Sequence, residues 1–596
     1  MKNRLLSAIS LLIVAVMLAS AFVGCNKTAD AGVDATEQGT SAPLENPTEK
    51  STEKPTEDQG DTGPEIPDPT KFNFYFNKDY VCGFVLPAEP TDAERAVAVT
   101  LSTALKAKTG KAVAFIDESK AGDYGYLVLI GNTSFQESKD AYALLGERES
   151  SIKVSSNNKL VIAFANQSSG IGIIEKMIEV INAQATKNVG VALTYVDYFK
   201  ALPEIDVLPE LELVDVKTID CGEETTMLYA RASTPDFDKY CESLLAVELE
   251  KVSEREQNGN LFATFKAANH YIYVYYSYYN SSMRVITGPI DQLVEEDYST
   301  DASEFSVPCI AAIPQPKSGL GYIFRIPDGR YIILDGGYKD EDRVYNALRE
   351  LAGDGEIVVA AWFISHPHDD HYMGLVDYAK KHGKDKNIVI ERVIHNYALH
   401  EMYNIDGSAG LDESGKSVQE LYDVMETYMP DVPVLKAHTG QTIKFGSTSI
   451  EILYTIEDLI PSNITNINDS SIVFRLNIFD QSIMLLTDTC YASGPILNKL
   501  WGSYLKSDIV QMAHHGMWPS VEEIYHSIAA EVILVPTKYK EFKSYIGDSR
   551  WSAVMQAALS YAKDIYVFGD YYDVIELPYY TVNNKAEMTE YIKNYK

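Results

Sequence analysis

From residue 71 onward the chain switches repeatedly between two hydrophobic periods. Ala93 to Lys106 repeats its apolar residues at helical spacing. Tyr126 to Gly131 and Lys159 to Ala165 are continuous apolar runs of strand length, and Ile171 to Ala183 returns to the helical period. Strands alternating with helices in this way predict an α/β domain over 71–200. Residues 205–305 predict a smaller α+β domain, with a helix at Asp236 to Glu248 and strands at Ala263 to Phe265 and Tyr271 to Tyr278. The last strand carries Tyr273, Tyr275, Tyr276 and Tyr278, with Tyr279 beyond it. Such a cluster either offers aromatic faces to a sugar or packs within an antiparallel sheet; the strand preference of tyrosine favours the sheet. Further on, Ile357 to Ser365 is an apolar strand that runs into a polar cluster, and a helical pattern resumes at Tyr372.

Before residue 71 the pattern is different. Lys2 and Arg4 precede an almost wholly apolar run, Leu5 to Phe22, which ends in Val23, Gly24 and Cys25. A basic start, an apolar core and a small residue read as a cleaved export signal. An uncleaved membrane anchor is the alternative, and either one places the rest of the chain outside the cytoplasm. The segment resembles a bacterial lipoprotein signal, which implies a signal peptide at 1–24, lipidation of Cys25 and anchoring on the extracytoplasmic face of the cell membrane. Residues 25–70 hold hardly any large apolar side chain and predict a disordered acidic tether.

Composition narrows the class further. The 596 residues carry 51 Lys and Arg against 85 Asp and Glu, a net charge of −34. The tether holds −8 of this and the signal +2, which leaves −28 on residues 71–596. A negative excess of this size argues against a nucleic-acid scaffold, because binding to phosphate backbones draws on surplus Lys and Arg. It leaves open phosphate chemistry at a metal, which brings its own positive charge. The six cysteines form no Cys-x-x-Cys pair, so neither a zinc ribbon nor a thioredoxin-like site is indicated. Buried free thiols are expected, with Cys221 and Cys241 the closest pair for any disulfide.

Chemistry concentrates where the histidines do. Of eleven, only His270 precedes residue 366, and five fall into two groups: His366, His368 and His371, then His514 and His515. In an extended segment His366 and His368 point the same way and can grip one metal. Asp370 and His371 follow at the turn into the helix and can serve a second. Imidazole with carboxylate is zinc chemistry, and is compatible with manganese or iron.

The run 366–371, His-Pro-His-Asp-Asp-His, matches the HxHxDH motif of the metallo-β-lactamase superfamily, and further similarities follow in order over 306–585. Residues 322–327 and 331–337 resemble that fold's opening hairpin, with Asp335 closing its second strand. Residues 482–489 resemble the strand that ends in a bridging aspartate, here Asp488, and 508–516 the strand that delivers the last histidine. His-His-Gly at 514–516 and Asn468 to Val473 resemble the hydrolase domain of bacterial DNA-uptake channels. A more distant similarity is to surface phosphorylcholine esterases. The resemblance implies a four-layer αββα domain preceded by the two smaller domains. It also implies two divalent metal ions, zinc first among them, held by His366, His368, Asp370, His371, Asp488, His514 and His515. Where many members carry a further histidine after the mid-domain strand, residues 451–457 offer Tyr454; His438 and His395 are the candidates to replace it. Of the adjacent pair, His514 is favoured as the ligand, since neighbours at a strand end face opposite ways.

The implied activity is hydrolysis by a hydroxide held between two metals, with Asp370 as a catalytic group and Tyr372, His438 and Tyr397 as candidate proton donors. A small-molecule or cell-envelope phosphoester is the expected substrate, and the acidity disfavours extended nucleic acid. The competing reading is a surface lipoprotein with little or no activity that binds glycan or cell-wall components through its tyrosine-rich domain.

Overall fold

A computed structural model describes residues 72–595, apart from 75–81, 110–111, 124–125, 156–157, 184–188, 192–196, 223, 291, 296, 301–305, 340–341, 400–401, 403–410, 463 and 570–571. The export signal, Cys25 and the acidic tether lie outside the described residues. Among those described, no helix is long and apolar enough to cross a membrane. Cys82, Cys221, Cys241, Cys309 and Cys490 are free thiols. The chain divides at Ala201–Leu202 into two compact units.

The first unit is α/β. Its sheet runs Ala114–Ile116, Cys82–Val85, Tyr126–Ile130, Lys159–Phe164, Glu149–Ser155 and Asp197–Lys200, parallel through the first four strands. Helices Asp92–Thr109 and Gln167–Ala183 bury Val97, Leu101, Ile174 and Ile181 against one face. Both helices extend a few residues beyond their apolar stretch. At Asp92–Thr109 the reason is a capping pair, in which Glu94 accepts from Thr91 N–H and Thr91 Oγ1 accepts from Glu94 N–H.

The second unit contains two parts. A six-stranded antiparallel sheet, with His270–Ser277 near its middle, packs helix Thr234–Ala246 against one face through Ile272, Val274 and Tyr276. The opposite residues of the same strand, Tyr271, Tyr273 and Tyr275, are buried against Ala398, Ile456, Leu459 and Ile467 and against Trp501 of the C-terminal part. The period-two alternation of a strand thus sends tyrosines into two cores. Only Tyr278 and Tyr279 reach the surface, at the turn. Because this face is covered, 205–305 and 306–585, read from sequence as separate domains, pack as one unit.

The C-terminal part is a sandwich. Its first sheet contains β1 (Cys309–Ala312), β2 (Gly321–Arg325), β3 (Tyr331–Asp335), β4 (Ile357–Phe363), β5 (Ile388–Ile390), β6 (Val393–His395) and β7 (Val434–Lys436). The second contains β8 (Thr442–Phe445), β9 (Thr448–Tyr454), β10 (Val473–Ile478), β11 (Gln481–Leu485), β12 (Ile509–Gln511), β13 (Val532–Val535) and β14 (Asp564–Val567), and β15 (Val574–Glu576) closes the first sheet beside β1. Alternate residues face each other across the middle: Ile332, Leu334 and Phe363 from one sheet meet Phe474, Leu476 and Leu485 from the other. The intervening residues bury under helices. Ile333 and Trp362 pack beneath α1 (Arg343–Ala352), α2 (Asp369–His382) and α3 (Leu411–Tyr428). Val473, Met484 and Val510 pack beneath α4 (Ser493–Trp501) and α5 (Glu522–Ile528). This is the αββα order expected for 306–585. The final helix, Lys585–Asn594, adds Ile592 to the outer core just beyond that limit.

Parallel pairing fixes where chemistry can sit. β3, β4, β6 and β7 run parallel, and so do β11, β12 and β13. In each sheet the carboxyl ends of these strands therefore share one edge, the usual place for a ligand in a parallel sheet.

Candidate metal centre

Each donor sits just past a strand end. Beyond β4 the chain turns so that His368 N–H donates to His366 O at 3.0 Å, and His368 becomes the N-cap of α2. Asp369 and Asp370 occupy the first turn, where the helix dipole favours carboxylates. The start of α2 is tied to the end of β3, since Gly336 N–H donates to His371 O and Gly374 N–H to Gly337 O, both at 2.8 Å. The two backbones touch there: a Cβ on Gly374 would stand 2.3 Å from Gly336 O.

The second sheet contributes Asp488, after β11, and the two adjacent histidines, after β12. Here the structure departs from the sequence expectation. The strand ends at Gln511, and His514 and His515 both adopt left-handed backbone (φ 47° and 58°), so both rings turn toward the same space. Gln511 holds this geometry from below: its Oε1 accepts from Thr487 N–H at 2.6 Å and its Nε2 donates to Met512 O at 2.6 Å. His514 N–H in turn donates to Thr487 O at 2.9 Å.

The side chains converge on one oxygen. Asp488 Oδ2 lies 3.1 Å from His371 Nε2, 3.3 Å from His515 Nε2, 3.8 Å from His514 Nε2 and 3.9 Å from His366 Nε2. His515 Nε2 is also 3.3 Å from Asp370 Oδ2, and His366 Nε2 is 2.9 Å from His368 Nδ1. All seven residues expected from the sequence are therefore together. Both members of the adjacent pair approach Asp488: His515 lies closer to it and also reaches Asp370, while His514 stands slightly farther off.

Two supporting residues escaped the sequence reading. Asp335 was legible only as the close of a strand, yet its carboxylate accepts from His371 Nδ1, Ser365 N–H and Ser365 Oγ, each at 2.7 Å. Ser365 had no sequence signal. The candidate replacements for the missing histidine stand apart. His395 accepts from Tyr397 N–H at Nδ1 and pairs with Tyr422 OH at Nε2, while His438 Nδ1 donates to Glu457 Oε1 at 2.8 Å. Tyr454 gives its hydroxyl to Asp469 O at 2.8 Å. Of the candidate proton donors, Tyr372 donates to Glu420 Oε2 at 2.9 Å.

The electrostatics divide the site. Burial lowers His366 and His368, with neighbouring imidazoles adding to the effect at His366, and burial brings His514 to about 4. Burial opposes charge at His371 and His515 as well, but the surrounding carboxylates win, and Asp488 and Asp370 raise His515 to about 9. Burial likewise pushes Asp488 and Asp370 upward, yet the His371 and His515 charges hold both below the usual carboxylate range.

The donor set fits a divalent transition metal. His366, His371 and Asp488 form one group of ligand atoms within 4.8 Å of one another, and Asp370, His371 and His515 another. His371 Nε2, His515 Nε2 and Asp488 Oδ1 are buried without a hydrogen-bond partner among the described residues. At the mouth, Trp518 stands edge-on to His514 at 5.1 Å, and Lys317 Nζ lies 4.6 Å from the Tyr338 ring centre. Gly319 packs between Tyr338 and Asp370.

No protein-family model matches the chain, and neither does any curated protein. Solved structures similar to it include the metallo-β-lactamase fold protein YhfI from Bacillus subtilis, 13% identical, covering 46% of this chain and 100% of that one, TM-score 0.28. A Cronobacter sakazakii metallo-β-lactamase with a HARLDQ motif is 13% identical over 44% of this chain and 91% of its own, TM-score 0.24. The subclass B3 metallo-β-lactamase MEM-A1 from a soil metagenome is 16% identical over 44% and 92%, TM-score 0.23. The chemistry of the site rests on its own geometry.

Proposed function

We propose that the chain is a metal-dependent hydrolase of phosphoesters, anchored by lipid at Cys25 on the extracytoplasmic face of the cell membrane. The observation that carries the hydrolase reading is the convergence of four imidazoles on Asp488 Oδ2, with Asp370 and His368 beside them. Two divalent cations bound there would supply Lewis acidity and a water of lowered pKa. Asp488 presents one oxygen to both donor groups. Asp370 faces the same space from the first turn of α2. Asp335 holds the Nδ1–H of His371 and so turns its Nε2 lone pair inward.

Three observations support a small phosphoester. Asn468, within the segment that resembles the DNA-uptake hydrolases, is buried beside His368. Lys317 places a cation at the rim, beside Tyr338. The net charge of −34 disfavours a long polyanion. The buried tyrosines of 271–276 lend no support to a sugar-binding face.

Metal analysis of protein lacking residues 1–70, paired with hydrolysis of bis-nitrophenyl phosphate, tests the proposal. At least one equivalent of tightly bound transition metal is expected, with activity lost in Asp370→Asn. Less metal than that, or an unchanged Asp370→Asn enzyme, sinks the hydrolase reading. Cleavage of a lactone or lactam with every phosphoester refused sinks only the substrate class. Cys25→Ser tests the anchor, and is expected to move the protein out of the membrane fraction.

A further inference from the structure

The His366–His368 side of the centre is short of a third imidazole. β9 ends in Tyr454, whose hydroxyl is engaged by Asp469 O. His395 is held between Tyr397 and Tyr422, and His438 is paired with Glu457. His514 approaches the same carboxylate oxygen as His366. Its Nε2 is 3.8 Å from Asp488 Oδ2, against 3.9 Å for His366 Nε2. The ring is buried, and its Nδ1 has no hydrogen-bond partner among the described residues.

Resting on the metal-centre reading above, we propose that His514 and His515, although adjacent, serve different metals. His515 completes the position of Asp370 and His371, and His514 supplies the third imidazole beside His366 and His368. Asp488 is common to both. The device is the backbone. In an extended segment neighbouring side chains diverge, but two successive left-handed residues bring both Nε2 atoms within 4 Å of one carboxylate oxygen. Left-handed backbone is uncommon for residues other than glycine and persists where surrounding structure enforces it. Here Gln511, the His514 N–H to Thr487 O bond and Gly516 at φ 80° enforce it. Each metal position then has three donors of its own, three nitrogens on one side and two nitrogens with a carboxylate on the other.

Cobalt(II) titration of the full-length protein, followed by visible absorption, tests this directly. Wild type is expected to take up two equivalents. His514→Asn should take up one, because asparagine accepts left-handed backbone without offering an imidazole. His515→Asn should also take up one, with a different spectrum, so that the two single-site spectra add up to that of wild type. His514→Cys should restore the second equivalent and add a thiolate-to-cobalt charge-transfer band, which a residue that only contacts substrate would not produce. Two equivalents and an unchanged spectrum in His514→Asn, or no charge-transfer band in a folded His514→Cys, overturn the inference and leave the metal centre standing. No uptake by wild type overturns both.

Discussion

At the scale of single residues, the candidate metal centre rests on groups that are not themselves among its donors. Asp335 takes three hydrogen bonds of 2.7 Å, one of them from His371 Nδ1. Asp335→Asn puts a donor where an acceptor is needed and frees the imidazole to turn. Metal affinity at the Asp370–His371–His515 position is expected to fall about 10- to 100-fold, the usual effect of losing such a partner. Zinc titration calorimetry reads this, and an unchanged affinity rejects the role. His395 makes the opposite case, a histidine near the strand edge with a structural task. Burial, then the nearby Lys436 charge, depress it to about 3 from an ordinary value of 6.5. The unfolded chain therefore takes up a proton on His395 below pH 6.5 that the folded chain refuses. Its contribution to stability is complete above 6.5 and is lost as pH falls toward 3. Between pH 7 and pH 5 wild type should lose about 2 kcal/mol from this group, and His395→Gln should remove that component from urea denaturation. The sequence placed both histidine groups at the centre because local spacing is enough to mark them. It could not separate His395 from a ligand, because Tyr422 and Lys436, which claim and discharge it, come from distant parts of the chain.

At the scale of elements, the centre depends on how α2 meets β3. Asp370 and His371 ride on the first turn of that helix, and the helix is positioned by the Gly336–Gly374 contact and two hydrogen bonds across it. Gly374→Ala places a methyl 2.3 Å from Gly336 O, where backbone must move because no flexible side chain can yield. The variant is expected to stay folded while α2 shifts outward. Metal binding at the second position should weaken at least tenfold, with a loss of about 1–3 kcal/mol of stability from overpacking. Retained affinity together with the stability loss would show that the helix start is held by other contacts. The strand and helix around 357–380 were legible because each carries a continuous apolar pattern, and the loop between them because its polar cluster interrupts that pattern. The turn at 514–515 was not. Its left-handed backbone is imposed by Gln511, the end of the strand that leads into it, and by Thr487, just past the neighbouring strand β11, and nothing in His-His-Gly alone announces it.

At the scale of the whole molecule, the sheet of 217–289 belongs with the αββα sandwich. Buried Arg284 donates to the carbonyl oxygens of Glu457, Asp458 and Ile460, in the turn that also holds Glu457 against His438. Lys436 donates to the Cys221 and Gly222 carbonyls, and Tyr273 lies 4.2 Å from the His438 ring. An apolar surface including Ala398, Ile456, Leu459, Ile460, Ile464 and Ile467 is covered by this sheet. Residues 306–596 alone would expose that surface, remove the acceptors of Lys436 and leave three carbonyls without Arg284, a combination that favours aggregation. Residues 202–596 keep all of it. The shorter fragment is therefore expected to be insoluble or aggregated. The longer one should fold, bind the same number of metals as residues 71–596 and unfold in one calorimetric transition, which 71–596 shows beside a second from the first unit. A soluble 306–596 fragment with full metal content would mean that the tyrosine-faced sheet is dispensable, and that its packing against the sandwich serves neither stability nor metal binding.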